Sequence, residues 1–240
     1  MNIILKKCQC AALFGIAIIL SEVPCAYAEP KALYSIDFTQ KENIDASTWL
    51  KQQGFDAFLD AERLNLNFEN EGLRISTNEN LTAMFGLKFG NPDYVPDVDH
   101  VVIEWGVNRF PIGADWEQGI KRVPIGVIFS FGDKKLSSGL PFGIEAAPYF
   151  LSAFIGKNEP VGKMYVGALY AEGGRYFCVS NGAPIGQTID TKFEVDKRFK
   201  DVFKQDKTPP ITGVAFEMNT DDTKGGAEAF IKRIVFYSKG

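Results

Sequence analysis

The sequence is poor in the residues from which many enzyme sites are built. It holds one histidine, His100, in 240 residues. A catalytic zinc needs two or three His or Cys ligands, and a Ser/His/Asp arrangement would have to use this one imidazole. His100 ends the acidic, proline-rich stretch NPDYVPDVDH (residues 91–100), where a solvated loop histidine is expected. Asp93, Asp97 and Asp99 there read as ordinary turn carboxylates rather than a calcium cluster. Of four cysteines, Cys8, Cys10 and Cys25 fall within the first 28 residues. Only Cys178 remains beyond them, so no disulfide can form within that part of the chain. Cys178 lies in the apolar run YFCV and is expected as a buried thiol. Positive charge is not in excess either: 26 Lys and Arg face 30 Asp and Glu, a net charge of −4. A nucleic-acid partner wants a basic face. No glycine loop stands at a strand-to-helix turn, as a phosphate cradle would require.

The one long apolar run is at the N-terminus. Lys6 and Lys7 precede an apolar segment over residues 8–20, and Ala26-Tyr27-Ala28 forms an A-x-A site. These are the parts of a secretory signal peptide, with an apolar segment too short to span a bilayer comfortably. Pro24 before Cys25 disfavours a lipid anchor. Residues 1–28 are therefore expected to be removed, giving an exported chain, periplasmic or extracellular, with no membrane span. Loss of Lys6, Lys7 and Glu22 takes the 26 basic and 30 acidic residues to 24 and 29, a net charge of −5. The remaining 29–240 show no repeat and no low-complexity linker, and are read as a single domain.

The most informative stretch is ITGVAFEMNTDDTKGGAEAFIKRIVFY (residues 211–237). Thr212, Val214, Phe216 and Met218 alternate with Gly213, Ala215 and Glu217, the period of a half-buried strand. NTDDTKGG follows as a turn, since Asx side chains bond nearby backbone and glycine accepts positive φ. The return run is apolar on both faces near its end, as in a central strand. The whole reads as a β-hairpin with a long loop. Asn219, Asp221 and Asp222 offer several oxygen ligands in the turn and make it a candidate calcium site.

Further strands are expected over residues 32–38, 61–68, 72–76, 81–89, 101–107, 123–131, 164–170 and 176–180, with 136–160 irregular. One helix is expected near 194–204, where Phe193, Phe199, Val202 and Phe203 fall at helical spacing before Pro209-Pro210. The pattern predicts an all-β, jelly-roll-like sandwich with one short helix.

Four segments also resemble, in order, the bacterial DUF3047 family, a domain of unknown function. They are VVIEWGVNRFPIGAD (101–115), GVIFSFG (126–132), RFKDVFKQDKTPPITGVA (198–215) and NTDDTKGGAEAFIKRIVF (219–236). Asn219 stands where the closing motif usually has Asp, and Asp222 where it often has Asn. Many members carry acidic residues and an arginine near the strand that reads KRVPIGVIFSF (121–131) in this chain, so any role of those charges is altered here. The resemblance implies an exported β-sandwich similar to galactose-binding-like jelly rolls.

Three function classes follow. A binding module for carbohydrate or another cell-envelope component would use aromatic faces with neighbouring carboxylates and amides. The candidates are Glu104, Trp105, Asn108, Asp115, Trp116, Glu145, Tyr149 and Glu217, with Tyr170 and Tyr176 beside them. A glycan-acting hydrolase would pair two carboxylates across a bond; Glu104 and Glu217, placed mid-strand, are the candidates, with Asp115 or Glu145 as partner. An envelope structural or assembly protein would show an apolar patch or an open sheet edge. Binding is favoured over catalysis.

Overall fold

The computed structural model describes residues 29–39, 44–69, 72–140, 145–182 and 184–240; the leader expected at 1–28 lies outside them. In chain order the elements begin with β1 (Ala32–Asp37), α1 (Ala46–Gln52), β2 (Phe55–Leu59), a 3-10 turn (Ala61–Arg63), β3 (Asn65–Glu69), β4 (Gly72–Thr77) and β5 (Thr82–Lys88). They continue with β6 (Val98–Arg109), β7 (Val123–Leu136), β8 (Ala147–Gly156), β9 (Met164–Tyr165), β10 (Gly174–Asn181), β11 (Ile189–Phe193), α2 (Val195–Phe203), β12 (Ile211–Asn219) and β13 (Ala227–Ser238).

The strands form two sheets, an all-β sandwich as the periodicity predicts. The first runs β11-β6-β13-β4-β3, and the second β2-β5-β12-β7-β8-β10-β9. β13 pairs with β6 along one side; β4 and then β1 share its other side end to end. The chain passes repeatedly from sheet to sheet, which gives the jelly-roll-like character. β8 and β10 are the one parallel pair in these ladders.

Alternation decides what fills the space between the sheets. Val101, Ile103, Trp105 and Val107 of β6 point inward with Ile231, Ile234 and Phe236 of β13, opposite Val127, Phe129 and Phe131 of β7 and Phe216 of β12. Phe129 and Phe236 meet edge to face across the two sheets, with centroids 5.8 Å apart. α2 closes one edge: Phe199 is fully buried and packs on Phe131 and Tyr149. Among the described residues no helix is long and apolar enough to cross a membrane.

Several expectations are corrected. β12 and β13 are not a hairpin: they lie in different sheets, and NTDDTKGG carries the chain from one to the other. Turn chemistry fixes the reversal, not the sheet that receives the returning strand. Gly226 sits at φ +60°, and a Cβ there would stand 1.9 Å from the Thr77 carbonyl oxygen, so the crossover can pass only as glycine. A second helix exists: α1 is capped by Asp45, whose Oδ1 accepts the Thr48 N–H at 2.7 Å, and buries Trp49 and Leu50. β8 lies inside the stretch read as irregular. His100 is not a loop residue; it belongs to β6, is buried, stacks on Tyr237 at 5.1 Å and shares a 2.9 Å contact with Asp99.

Candidate functional site

The period-two pattern of β12 leaves Ala215 and Glu217 on the outer face of the second sheet. The register then assembles that face. Glu217 lies opposite Gly126, Gly126 opposite Phe154, Ile128 opposite Ser152, and Ser152 opposite Tyr176. Tyr176 in turn pairs with Tyr165. One face thus carries a carboxyl and a row of aromatic rings, with the Ser152 hydroxyl buried beneath them.

Gly126 provides the room. A Cβ placed there would be 3.2 Å from Glu217 Oε1 and 3.4 Å from Ser152 Oγ, so both polar atoms flank the space where a side chain is missing. Ser152 Oγ is buried without a hydrogen-bond partner. Among the described residues nothing donates to the Glu217 carboxyl either, and burial pushes it up to about 7. Tyr176 is half-buried; burial, then the nearby Glu217 charge, holds its phenol well above the ordinary range.

Beside this group sits a small aromatic cluster. Trp116 stacks on Phe154 (4.8 Å, 16°) and touches Tyr165 and Tyr176 at 5.2 and 5.1 Å. Its indole N–H donates to the Arg122 carbonyl at 3.1 Å. Its backbone N–H donates to Glu159 Oε1, also at 3.1 Å, while Glu159 Oε2 accepts the N–H groups of Lys157 and Asn158. Glu159 is 3% exposed and thereby fastens two loops together. The Tyr165 hydroxyl and the Lys163 ammonium both donate to Glu117. Those two bonds, the lysine's first, hold the Glu117 carboxyl below its usual range. Cys178 lies beneath, fully buried as expected, with burial pushing its thiol up to about 11.

The residues singled out from the sequence are therefore scattered. Glu217 and Trp116 share the outer face of the second sheet. Asp115 stands next to Trp116, but its Oδ1 accepts the N–H groups of Glu117 and Gln118 and holds the turn. Glu104 and Asn108 lie on the opposite outer face, Glu104 paired with Arg233 at 3.0 Å and Asn108 donating to Glu228 at 2.8 Å. The two sheets thus separate Glu104 from Glu217, so the two mid-strand carboxyls lie on opposite outer faces. Trp105 is fully buried between the sheets, where its Nε1–H donates to Thr191 Oγ1, and it presents no face to a ligand. Tyr149 packs against Phe199 and Phe203 of α2. Glu145 is exposed before β8, contributing a carbonyl to the Tyr170 hydroxyl. Trp116 is 5% exposed and is the centre of its cluster rather than an open platform.

In the crossover turn a guanidinium lies against the residues of the candidate calcium site. Arg122 donates to the Asp221 carbonyl at 2.7 Å and to Asp222 Oδ2 at 2.8 Å, while Asn219 Oδ1 accepts the Asp221 N–H. Among the described residues no group of three or more His, Cys, Asp or Glu is placed to hold a metal ion.

Ser152, Glu159 and Gly126 were not singled out from the sequence. Ser152 and Gly126 become visible only once β8 and its register are known; Glu159 lies in a loop whose fold the local sequence does not dictate.

Fold and face together define a β-sandwich with a carboxyl- and aromatic-bearing sheet surface. No family model matches the chain, and no curated protein matches it. Among solved structures the chain is similar to the Emp46p carbohydrate recognition domain in its potassium-bound form, at 11% identity and a TM-score of 0.43, covering 88% of this chain and 100% of that one. It is similar to the mannan-recognising module TmCBM27 at 10% identity and 0.37, covering 89% and 100%. It is similar to the family 29 carbohydrate-binding module CBM29_1 from Piromyces equi at 12% identity and 0.36, covering 85% and 89%.

Proposed function

We propose that the protein is an exported binding module for a neutral, hydroxyl-rich ligand of the carbohydrate type, held on the outer face of the second sheet. The observation that carries this reading is the half-buried Glu217 carboxyl, to which no described residue donates, on a face it shares with the half-buried ring of Tyr176. A sugar hydroxyl can donate to such a carboxyl, and partial desolvation of the acceptor makes that pairing worth more than it is in water. Tyr176 supplies the adjoining ring. Export rests on the signal-like residues 1–28, and the likeness to the DUF3047 family on the four segments quoted above.

The test is calorimetric titration of the protein with cellohexaose, mannohexaose and xylohexaose. At least one is expected to bind, and Glu217→Ala and Tyr176→Leu each to weaken it about tenfold, the size of a lost hydrogen bond or ring contact. No binding by any of the three, or binding indifferent to both substitutions, overturns the reading. Release of reducing ends that vanishes in Glu217→Ala would instead favour the hydrolase alternative.

A further inference from the structure

The outer face of the second sheet does not end at Glu217. In the strand order, β12 has β7, β8 and β10 on one side and β5 and β2 on the other. The Tyr176 ring stands on the first side. On the second, Met84 lies directly opposite Glu217, and Phe58 directly opposite Met84. Cross-strand partners share a face, so Phe58, Met84 and Glu217 form one row. All three are half-buried, as is Tyr176.

The neighbouring row is low. Gly86 pairs with Ala215. A Cβ at Gly86 would meet Phe58 Cε2 at 3.2 Å and the Ala215 Cβ at 3.7 Å. The Phe58 ring thus leans over the sheet and uses the room that a glycine leaves, as Glu217 does at Gly126. Phe58 and Tyr176 therefore stand at two ends of one strip, with Met84 and the Glu217 carboxyl between them above small side chains. β2, which carries Phe58, is the edge strand of its sheet, so a chain lying on the strip can run on past that end.

Distance decides what size of ligand can use both rings. From β2 to β10 is five steps in the strand order, about 24 Å at about 4.8 Å a step. A linear glycan advances about 5 Å per ring, close to the spacing between strands. A monosaccharide or disaccharide therefore reaches one aromatic ring and not the other, whereas a longer chain reaches both. The chemistry of the strip matches such a chain. A pyranose has apolar faces for Phe58 and Tyr176 and hydroxyl edges for Glu217. An extended peptide fits less well. Its amides want backbone partners, and those of β12 are spent in its ladders with β5 and β7.

We infer that this strip binds a linear glycan of about four or more rings laid across the strands, with Phe58 as a second stacking ring on the far side of Glu217 from Tyr176, an inference that rests on the carbohydrate reading of the Glu217 face.

The test is calorimetric titration of the protein with the disaccharide, tetrasaccharide and hexasaccharide of the cello-, manno- and xylo- series. In a series that binds, affinity is expected to rise with length, at least tenfold from disaccharide to hexasaccharide. Phe58→Leu keeps an apolar cover over Gly86 and removes the flat ring. It is expected to lower hexasaccharide affinity about tenfold, and the ratio of hexasaccharide to disaccharide affinity with it; Phe58→Tyr, which keeps the ring, restores both. The length series needs no variant, so it decides even if Phe58→Leu folds poorly. Disaccharide binding as tight as hexasaccharide binding, or a ratio indifferent to Phe58→Leu, overturns this inference and leaves the Glu217 site in place. No binding in any series overturns both.

Discussion

Glu217 and Gly126 are cross-strand partners, and the carboxyl occupies the room that the glycine leaves: a Cβ at residue 126 would stand 3.3 Å from Glu217 Cγ. The pairing makes Gly126 a positioning residue. Gly126→Val is expected to displace the Glu217 side chain and to destabilise the protein by about 1–3 kcal/mol, as overpacking does. Urea denaturation measures the second effect. The first is read as loss of oligosaccharide binding beyond what the stability change explains.

Glu217 also predicts a pH dependence. Its folded value of about 7 lies above the reference value of 4.5, so the folded state holds this proton more tightly than the unfolded state. The contribution to stability is complete below about pH 4.5 and is lost as pH rises through 7. Glu217→Gln removes the titration, and is expected to flatten the stability curve across that window. At pH 8 the variant should exceed the wild type by up to ~3 kcal/mol. Denaturation midpoints of both proteins at pH 5 and pH 8 decide it; a wild-type curve that keeps its slope in the variant rejects it.

Glu159 should matter more than its distance from Glu217 suggests. Glu159→Ala strands the N–H groups of Trp116, Lys157 and Asn158 together, with an expected loss of about 2–4 kcal/mol. Because Trp116 is released at the same time, the near-ultraviolet circular dichroism of the aromatic cluster should fall while the far-ultraviolet spectrum is kept.

The crossover turn gives a metal test. With Asp221 and Asp222 already engaged by Arg122, the melting temperature is expected to be the same in calcium and in EDTA. Arg122→Ala should lower stability by about 1 kcal/mol, since these are largely exposed ion pairs supported by one backbone hydrogen bond. A calcium-dependent rise in the wild type would instead support the turn as a cation site.

How much of this was legible in the sequence differs from element to element. β12 was readable because one face is buried and the other open, which imprints period two; the same imprint singled out Glu217 as a carboxylate in mid-strand. β6 held a signal that went unused: Val101, Ile103 and Val107 set the inward phase, and Trp105 shares it, whereas Glu104 does not. β8 hid because it is apolar on both faces, with Leu151, Ala153 and Ile155 facing the core and Phe150 and Phe154 under the outer cluster, so no alternation marks it. The hairpin reading failed on β13, because pairing across sheets is settled by long-range packing that a turn sequence does not encode.

β13 is the latest strand in sequence order, yet it stands in the middle of its sheet, flanked by β6 on one side and by β4 and β1 on the other. During vectorial synthesis those three strands leave the ribosome long before the strand that joins them. Until it emerges they expose raw edges of unpaired amides, and the core lacks the Ile231, Ile234 and Phe236 side chains that β13 supplies. The first sheet is thus assembled around a late keystone, with most of its ladders closing large loops. A chain that lacks its closing strand is therefore more prone to edge-to-edge aggregation than the finished protein.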